Sequence, residues 1–303
     1  MMIVIEQVCL LLAFAAVGYL LSKTKIANSG HSKLLSALCL YIFLPSKVFN
    51  TFATKFTPAY LTQYWPLLLG AAVTVVVLAL AAIPVSRLLT RDDYMRNVYH
   101  YSLTIPNYGY IGYALAEGIF GKDVLMDVMM FAFPVSLYTY TIGYSMLTGG
   151  KFSLKKLANP VTLSMVLGAV VGLSGFQTPG PVESFLSKAA ACMSPVSMLL
   201  TGIVISDYKL KELLSQWQVY VIAFMRLLVL PCIAGVALRL LKLEMLLLPT
   251  LMVLAMPCGL NTIVFPKLMG RDCKPGAAMA FITSILCCIT IPLCLLFFGI
   301  KIQ

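Results

Sequence analysis

Thr104-Ile-Pro-Asn-Tyr-Gly-Tyr-Ile-Gly112 stands inside an apolar run that is otherwise long enough to cross a bilayer. Pro106 has no amide hydrogen and its ring clashes with the turn before it, so a helix breaks there. Gly109 and Gly112 loosen the backbone further. A second stretch, Met256-Pro-Cys-Gly-Leu-Asn-Thr262, repeats the design with Pro257, Gly259 and Asn261, and Asn261 follows Asn107 by 154 positions. One such break reads as a kink, which membrane helices tolerate. Two matched breaks, each with its own asparagine, read as paired half-helices around a transport site.

The rest of the chain agrees with a membrane setting. Of 303 residues, 60% are hydrophobic and 11% charged, against about 45–50% and about 25% in soluble domains. That excludes a water-soluble globule, a disordered or collagen-like chain and a nucleic-acid binder. The rule of about 20 apolar residues per span gives ten spans: 3–21, 34–53, 66–88, 97–119, 124–147, 160–176, 185–206, 217–241, 246–269 and 277–300. The sixth is short, and the fourth and ninth carry the breaks. Met1–Leu21 lacks a basic leader region and a small-residue cleavage site, so it reads as a retained span. The expected fold class is therefore an all-α polytopic membrane protein with ten transmembrane helices.

The net charge of +11 comes from 22 Lys and Arg against 11 Asp and Glu. Fourteen of the cations sit on odd-numbered loops, including Lys151, Lys155 and Lys156 on loop five. Six sit on even loops and the C-terminal tail, where Lys301 falls, and loops seven and eight tie at two each. Cytoplasmic loops carry the cation excess, so both termini are expected outside. The charge is then mainly a topology signal rather than a sign of a polyanionic partner. Span starts in the second half follow those in the first by 149–157 positions. A five-span unit is odd, so its second copy enters from the opposite side. The expected organisation is residues 1–150 as one repeat and 151–303 as an inverted second repeat, joined by a hinge near Thr148–Asn159.

The breaks also suggest the chemistry. The start of each second half-helix offers amide hydrogens and a positive dipole end to an anion. Asn107 and Asn261 add side-chain amides that can donate to a carboxylate and also satisfy freed carbonyls. Two cations fall within spans, Lys47 and Arg226, and intramembrane charges are functional candidates. Lys47 reads equally as a partner for a substrate carboxylate or as a snorkelling side chain. Arg226 reads first as a partner of backbone carbonyls. Glu6, Glu117 and Asp127 read as interfacial acids, with Glu117 the best candidate for ion coupling. His100 suits a proton relay by its usual titration range, although an interfacial hydrogen bond is the commoner role. Tyr108 is placed in the pocket, with Tyr110 and Tyr113 packed between helices. Trp65 and Trp217 read as interfacial anchors. The nine cysteines show no metal spacing, and most, Cys192 among them, read as small buried hydrophobes.

The chain resembles the auxin efflux carrier family of plant PIN-like carriers and bacterial permeases. Phe43-Leu-Pro-Ser-Lys-Val-Phe49, Pro106–Gly112, Ser194-Pro-Val-Ser-Met-Leu-Leu-Thr-Gly202 and Pro257–Asn261 carry the resemblance. It implies a scaffold of spans 1, 2, 6 and 7 that forms a homodimer. It also implies a transport domain of spans 3–5 and 8–10 that moves like an elevator, with helices 4 and 9 crossing at the substrate. Asn107 and Asn261 inherit the substrate contact, Pro106 and Pro257 the crossover. Gly109, Gly259 and Thr262 flank them. The long central loop of plant members is missing, which leaves auxin as substrate unsupported. The resemblance points to a bacterial inner membrane, with lipid around the chain.

The expected function is a secondary transporter of a small organic anion, a mono- or dicarboxylate. A sodium-coupled symporter of the bile-acid type is one alternative, weakened because no acid lies near the breaks. A membrane-embedded enzyme or receptor is another. No HExxH, phosphate loop or Asp pair within a span is present, so no enzymatic activity, metal or cofactor is expected.

Overall fold

The computed structural model describes residues 2–149, 158–268 and 271–300. Most of loop five, with Lys151, Lys155 and Lys156, and also Lys301 lie outside the described residues. Fifteen α-helices are found among the described residues: α1 (Met2–Lys23), α2 (Ser29–Leu38), α3 (Leu44–Lys55), α4 (Pro58–Leu89), α5 (Asp93–Thr104), α6 (Tyr113–Tyr138), α7 (Tyr144–Thr148), α8 (Pro160–Ser174), α9 (Gly180–Ser206), α10 (Leu210–Leu214), α11 (Trp217–Phe224), α12 (Leu230–Leu240), α13 (Glu244–Leu254), α14 (Asn261–Leu268) and α15 (Lys274–Phe297). Wide π turns at Cys39–Phe43, Tyr108–Gly112, Thr139–Gly143 and Met225–Val229 join α2 to α3, lead into α6, and join α6 to α7 and α11 to α12. Such turns shift a helix face without ending the helix.

Among the described residues, six helical stretches are long and apolar enough to cross a membrane: Gly30–Lys55, Pro58–Leu89, Tyr108–Thr148, Gly180–Ser206, Trp217–Leu240 and Lys274–Phe297. Shorter apolar helices occur at Cys9–Lys23, Pro160–Ser174 and Glu244–Leu254. The chain is thus a nearly all-helical, polytopic membrane protein. Its surface supports this directly. Leu69, Val73, Val76 and Leu80 on α4, Leu163 and Val170 on α8, and Ile289 and Leu293 on α15 are all exposed. Water would disfavour such faces, whereas lipid tails solvate them. Trp65 and Trp217 are exposed near helix starts. Inside, hydroxyls are common, and they donate back along their own helices. Ser102 bonds Val98 O at 2.8 Å, Thr139 bonds Val135 O at 2.7 Å and Thr201 bonds Ser197 O at 2.8 Å. This satisfies polar groups that hydrocarbon cannot.

Two helix pairs organise one side of the molecule. α1 packs along α9, and α3 packs along α8 and α9. The α1–α9 contact is close because Gly202 has no side chain. A Cβ there would lie 2.6 Å from Tyr19 N. On the other side α4 packs on α5 and α6, α13 on α6 and α12, and α15 on α11.

Helix ends differ from the hydropathy reading for physical reasons. α4 starts at Pro58, eight residues before the expected 66, because the Thr57 hydroxyl caps it and proline suits its first turn. α2 starts at Ser29 with an Asn28 capping box, where the apolar run starts at residue 34. Within Tyr113–Tyr138, Gly121 has φ 85° and ψ −176°, so the chain turns between the expected fourth and fifth spans. Cys192 is exposed, against its expected burial, while Cys39, Cys287 and Cys294 are buried.

Candidate functional site

The two broken segments meet. α5 ends at Thr104 and the next helical turn starts at Tyr108, while α13 ends at Leu254 and α14 starts at Asn261. Between these ends Pro106 and Cys258 run side by side as a short antiparallel bridge. The amide of Asn107 donates to Pro257 O at 2.8 Å. Gly259 makes the approach possible, since a Cβ there would lie 3.3 Å from Pro106 O and 3.4 Å from Ile105 O. The prolines supply the break, and backbone pairing across it replaces part of the lost helix bonding.

Arg226 satisfies three of the freed carbonyls. It lies in the π turn between α11 and α12 and is fully buried. Its guanidinium donates to Leu103 O at 2.9 Å and to Val253 O and Met256 O at 3.4 Å each. One planar cation thus closes the carbonyl ends of both first half-helices, which suits its fork of donors. The sequence reading of Arg226 as a carbonyl partner holds. The expectation that the asparagine amides also satisfy freed carbonyls does not hold for Asn107, whose Nδ2 has no partner; Arg226 takes three of those carbonyls instead. It also leaves a fixed positive charge beneath the crossing.

The asparagine side chains are left over. Asn107 is 2% exposed, and neither its Oδ1 nor its Nδ2 has a hydrogen-bond partner; Asn261 is 9% exposed with its Oδ1 unpartnered. Both line a cavity of about 20 Å³ at the crossing, together with Pro106, Tyr108, Gly109 and Gly259. Leu44 of α3, Val161 of α8 and Tyr140 line it as well. Tyr110 and Tyr113 also line it, although the sequence placed them between helices; the π turn at Tyr108–Gly112 rotates them inward. Tyr108 is held by its hydroxyl, 2.9 Å from Ser136 Oγ.

Other candidates are not brought to this cavity. Pro257 contributes its carbonyl to the bridge and does not line it. Thr262 is buried with its hydroxyl turned back to Gly259 O at 2.9 Å. His100 is half-buried, with Nε2 3.2 Å from Tyr138 Oη. Lys47 forms an ion pair with Glu117, and Asp127 accepts from Tyr60 Oη at 2.5 Å. The Lys47–Glu117 pair joins residues 70 positions apart, so no local pattern announces it.

Two larger spaces flank the crossing. One of about 300 Å³ is lined by Lys33, Ser36, Thr201, Leu260 and Val264. Leu260 also lines the small cavity and so separates the two. The other, about 470 Å³, is lined by Lys47, Glu117, Lys55, Lys122 and Asn50 at the Lys55 end of α3. The small cavity has room for about one water. This conformation is therefore closed around the asparagines, with an open vestibule on each side.

The comparisons with known proteins agree with this architecture. A family profile described as membrane transport protein matches residues 3–295. A protein of Methanocaldococcus jannaschii described as an uncharacterised transporter is 25% identical over 296 residues, which cover 93% of this chain and 95% of that one.

Proposed function

The chain belongs to the membrane transport protein family of auxin efflux carriers and PIN-like permeases, and from that premise we propose that it is a secondary transporter of a small organic anion, a mono- or dicarboxylate. The observation that carries this reading is Asn107. Its amide is almost fully buried, both polar atoms are unpaired, and it lines the cavity between two helix breaks. A buried polar group without a partner costs about 1–3 kcal/mol. Such a cost is understandable where a ligand supplies the missing partner. Arg226 and the starts of the second half-helices give the place a positive potential, which selects an anion.

The same reading takes the helices as ten spans in two inverted repeats. Tyr108–Thr148 has 41 residues, or roughly 60 Å of helix, about twice the hydrocarbon thickness. With the Gly121 turn it counts as the second half of span 4 followed by span 5 more naturally than as one helix. Pairing of α1 with α9 and of α3 with α8 is what exchange between inverted repeats requires. These four helices form the scaffold and the homodimer contact, and the rest form a transport domain that carries the asparagines across by an elevator movement. Both termini then lie outside, and the membrane is a bacterial inner membrane.

A thermal-shift screen of carboxylates on purified protein tests the anion reading, since only a binder raises the melting temperature. A shift by malonate, malate or acetate that is absent in Asn107→Ala supports it. No shift across mono- and dicarboxylates refutes it.

A further inference from the structure

We propose that the Lys47–Glu117 ion pair is a charge latch that shuts the crossing cavity from the vestibule at the Lys55 end of α3, and that a carboxylate opens it by taking the place of Glu117 on Lys47. This rests on the anion-carrier reading above and assigns the step by which the anion is admitted.

Position is the first argument. Leu44 lines the crossing cavity and Lys47 lines the vestibule. They are three residues apart on α3, hence on one face about 5 Å apart along the axis. Tyr113 lines the crossing cavity and Glu117 the vestibule, four residues apart on α6. The pair therefore stands one turn beyond the cavity on both walls at once. It bridges α3 to α6, which pack against each other. In an elevator these two helices belong to bodies that slide, so the pair has to part in every cycle.

Chemistry is the second. The Lys47 side chain is 13% exposed and that of Glu117 34%. The lysine is thus the more enclosed partner, while the carboxylate faces the vestibule. A carboxylate arriving there meets an ammonium already arranged to hold one. The exchange swaps one carboxylate for another on the same Nζ, so the lysine is never stranded. The rest of the vestibule is polar and of mixed charge, with Glu183 beside the lysines. Lys55 is paired with Asp123 at 2.6 Å, whereas Lys122, which also lines the space, has no ion pair among the described residues. Asn50 Oδ1, a buried acceptor without a partner, can take a proton donor such as the anion's hydration water but not the carboxylate itself. A part-buried ion pair is weak evidence for stability and is better attested as a switch.

The test is labelling of Leu44→Cys, on the cavity wall, by a cationic methanethiosulfonate in nanodisc-reconstituted full-length protein. Labelling is read at that residue by mass spectrometry, so the nine native cysteines do not interfere. In this background Glu117→Gln and Lys47→Gln are each expected to speed labelling about tenfold, as loss of a part-buried pair shifts a two-state balance. The charge swap Lys47→Glu with Glu117→Lys returns the slow rate, which also shows that the site folds. Malonate at millimolar concentration speeds labelling with the pair intact, and uncharged malonamide does not. Equal labelling across the charge variants overturns the latch. Equal responses to malonate, acetate and malonamide overturn the carboxylate key. The crossing site is judged by a separate signal. Uptake retained in Asn107→Ala beside an intact labelling cycle sinks the crossing site alone. Uptake lost in Asn107→Ala beside equal labelling sinks the latch alone.

Discussion

Replacing Asn107 by leucine is expected to make the protein more stable and inactive. Leucine shares the branched shape of asparagine and needs no partner, but its methyl groups are bulkier than the amide oxygen and nitrogen. The two amide atoms are buried and unpaired, and each such group costs about 1–3 kcal/mol. Three terms reduce the gain. Crowding the bulkier methyl groups into a cavity of about 20 Å³ costs about 1–2 kcal/mol. The residue sits at φ −81°, ψ 54°, a sparsely populated region that costs about 1 kcal/mol more for leucine than for asparagine. A water in the cavity of about 20 Å³ would already have recovered part of the loss. The balance is a gain of about 1–2 kcal/mol, or roughly 2–3 °C in melting temperature for a chain of this size. The assay is thermal unfolding in detergent, paired with uptake of a labelled organic acid into liposomes. Leucine that lowers the melting temperature would show that the amide holds the structure, and uptake at the normal rate would show that it holds no substrate. Either result refutes the reasoning.

Three further outcomes follow from the same geometry. Arg226→Gln leaves the carbonyls of Leu103, Val253 and Met256 short of donors and lowers stability by about 2–4 kcal/mol; thermal unfolding in detergent measures it, and an unchanged midpoint would refute the bridging role. Gly259→Val drives a side chain against Pro106 O and Ile105 O. It costs about 1–3 kcal/mol and opens the bridge, seen as faster hydrogen exchange at the Asn107 amide. Glu212 bonds Lys274 Nζ at 2.6 Å, and this holds its carboxyl below the ordinary value of 4.5. A depressed acid stabilises the fold above its unfolded value and loses that contribution as pH falls through the folded one. The contact of α10 with α15 therefore loosens only in strong acid. Hydrogen exchange at Leu210–Leu214 should show that loosening, and Glu212→Gln should show it already at neutral pH.

The parts of the fold legible in the sequence are those written in local chemistry. Pro106 and Pro257 announce their breaks because each stands with glycine and asparagine close by; proline alone does not, since Pro84, Pro195 and Pro292 lie inside continuous helices. Asn107 and Asn261 stand out as polar residues at matched positions. Arg226 was legible in kind, since a lone buried cation needs acceptors, but its acceptors are 27, 30 and 123 positions away. The Lys47–Glu117 pair was invisible for the same reason, and both residues were assigned separate roles. The inward turn of Tyr110 and Tyr113 depends on a π turn, which has no residue signature. Helix starts at Ser29 and Pro58 were missed because hydropathy reports depth in the membrane, whereas capping residues such as Asn28 and Thr57 report where the helix begins. The five-residue helix α10 is too short and polar for any hydropathy window.

Uptake by reconstituted protein tests the central claim most directly. Liposomes containing the purified chain should accumulate a labelled mono- or dicarboxylate from a panel that includes malonate, malate and acetate. Asn107→Ala and Asn261→Ala, folded by thermal unfolding, should each reduce that uptake to the level of empty liposomes. Transport at the normal rate by both folded variants would contradict a substrate site at the crossing of the two broken helices.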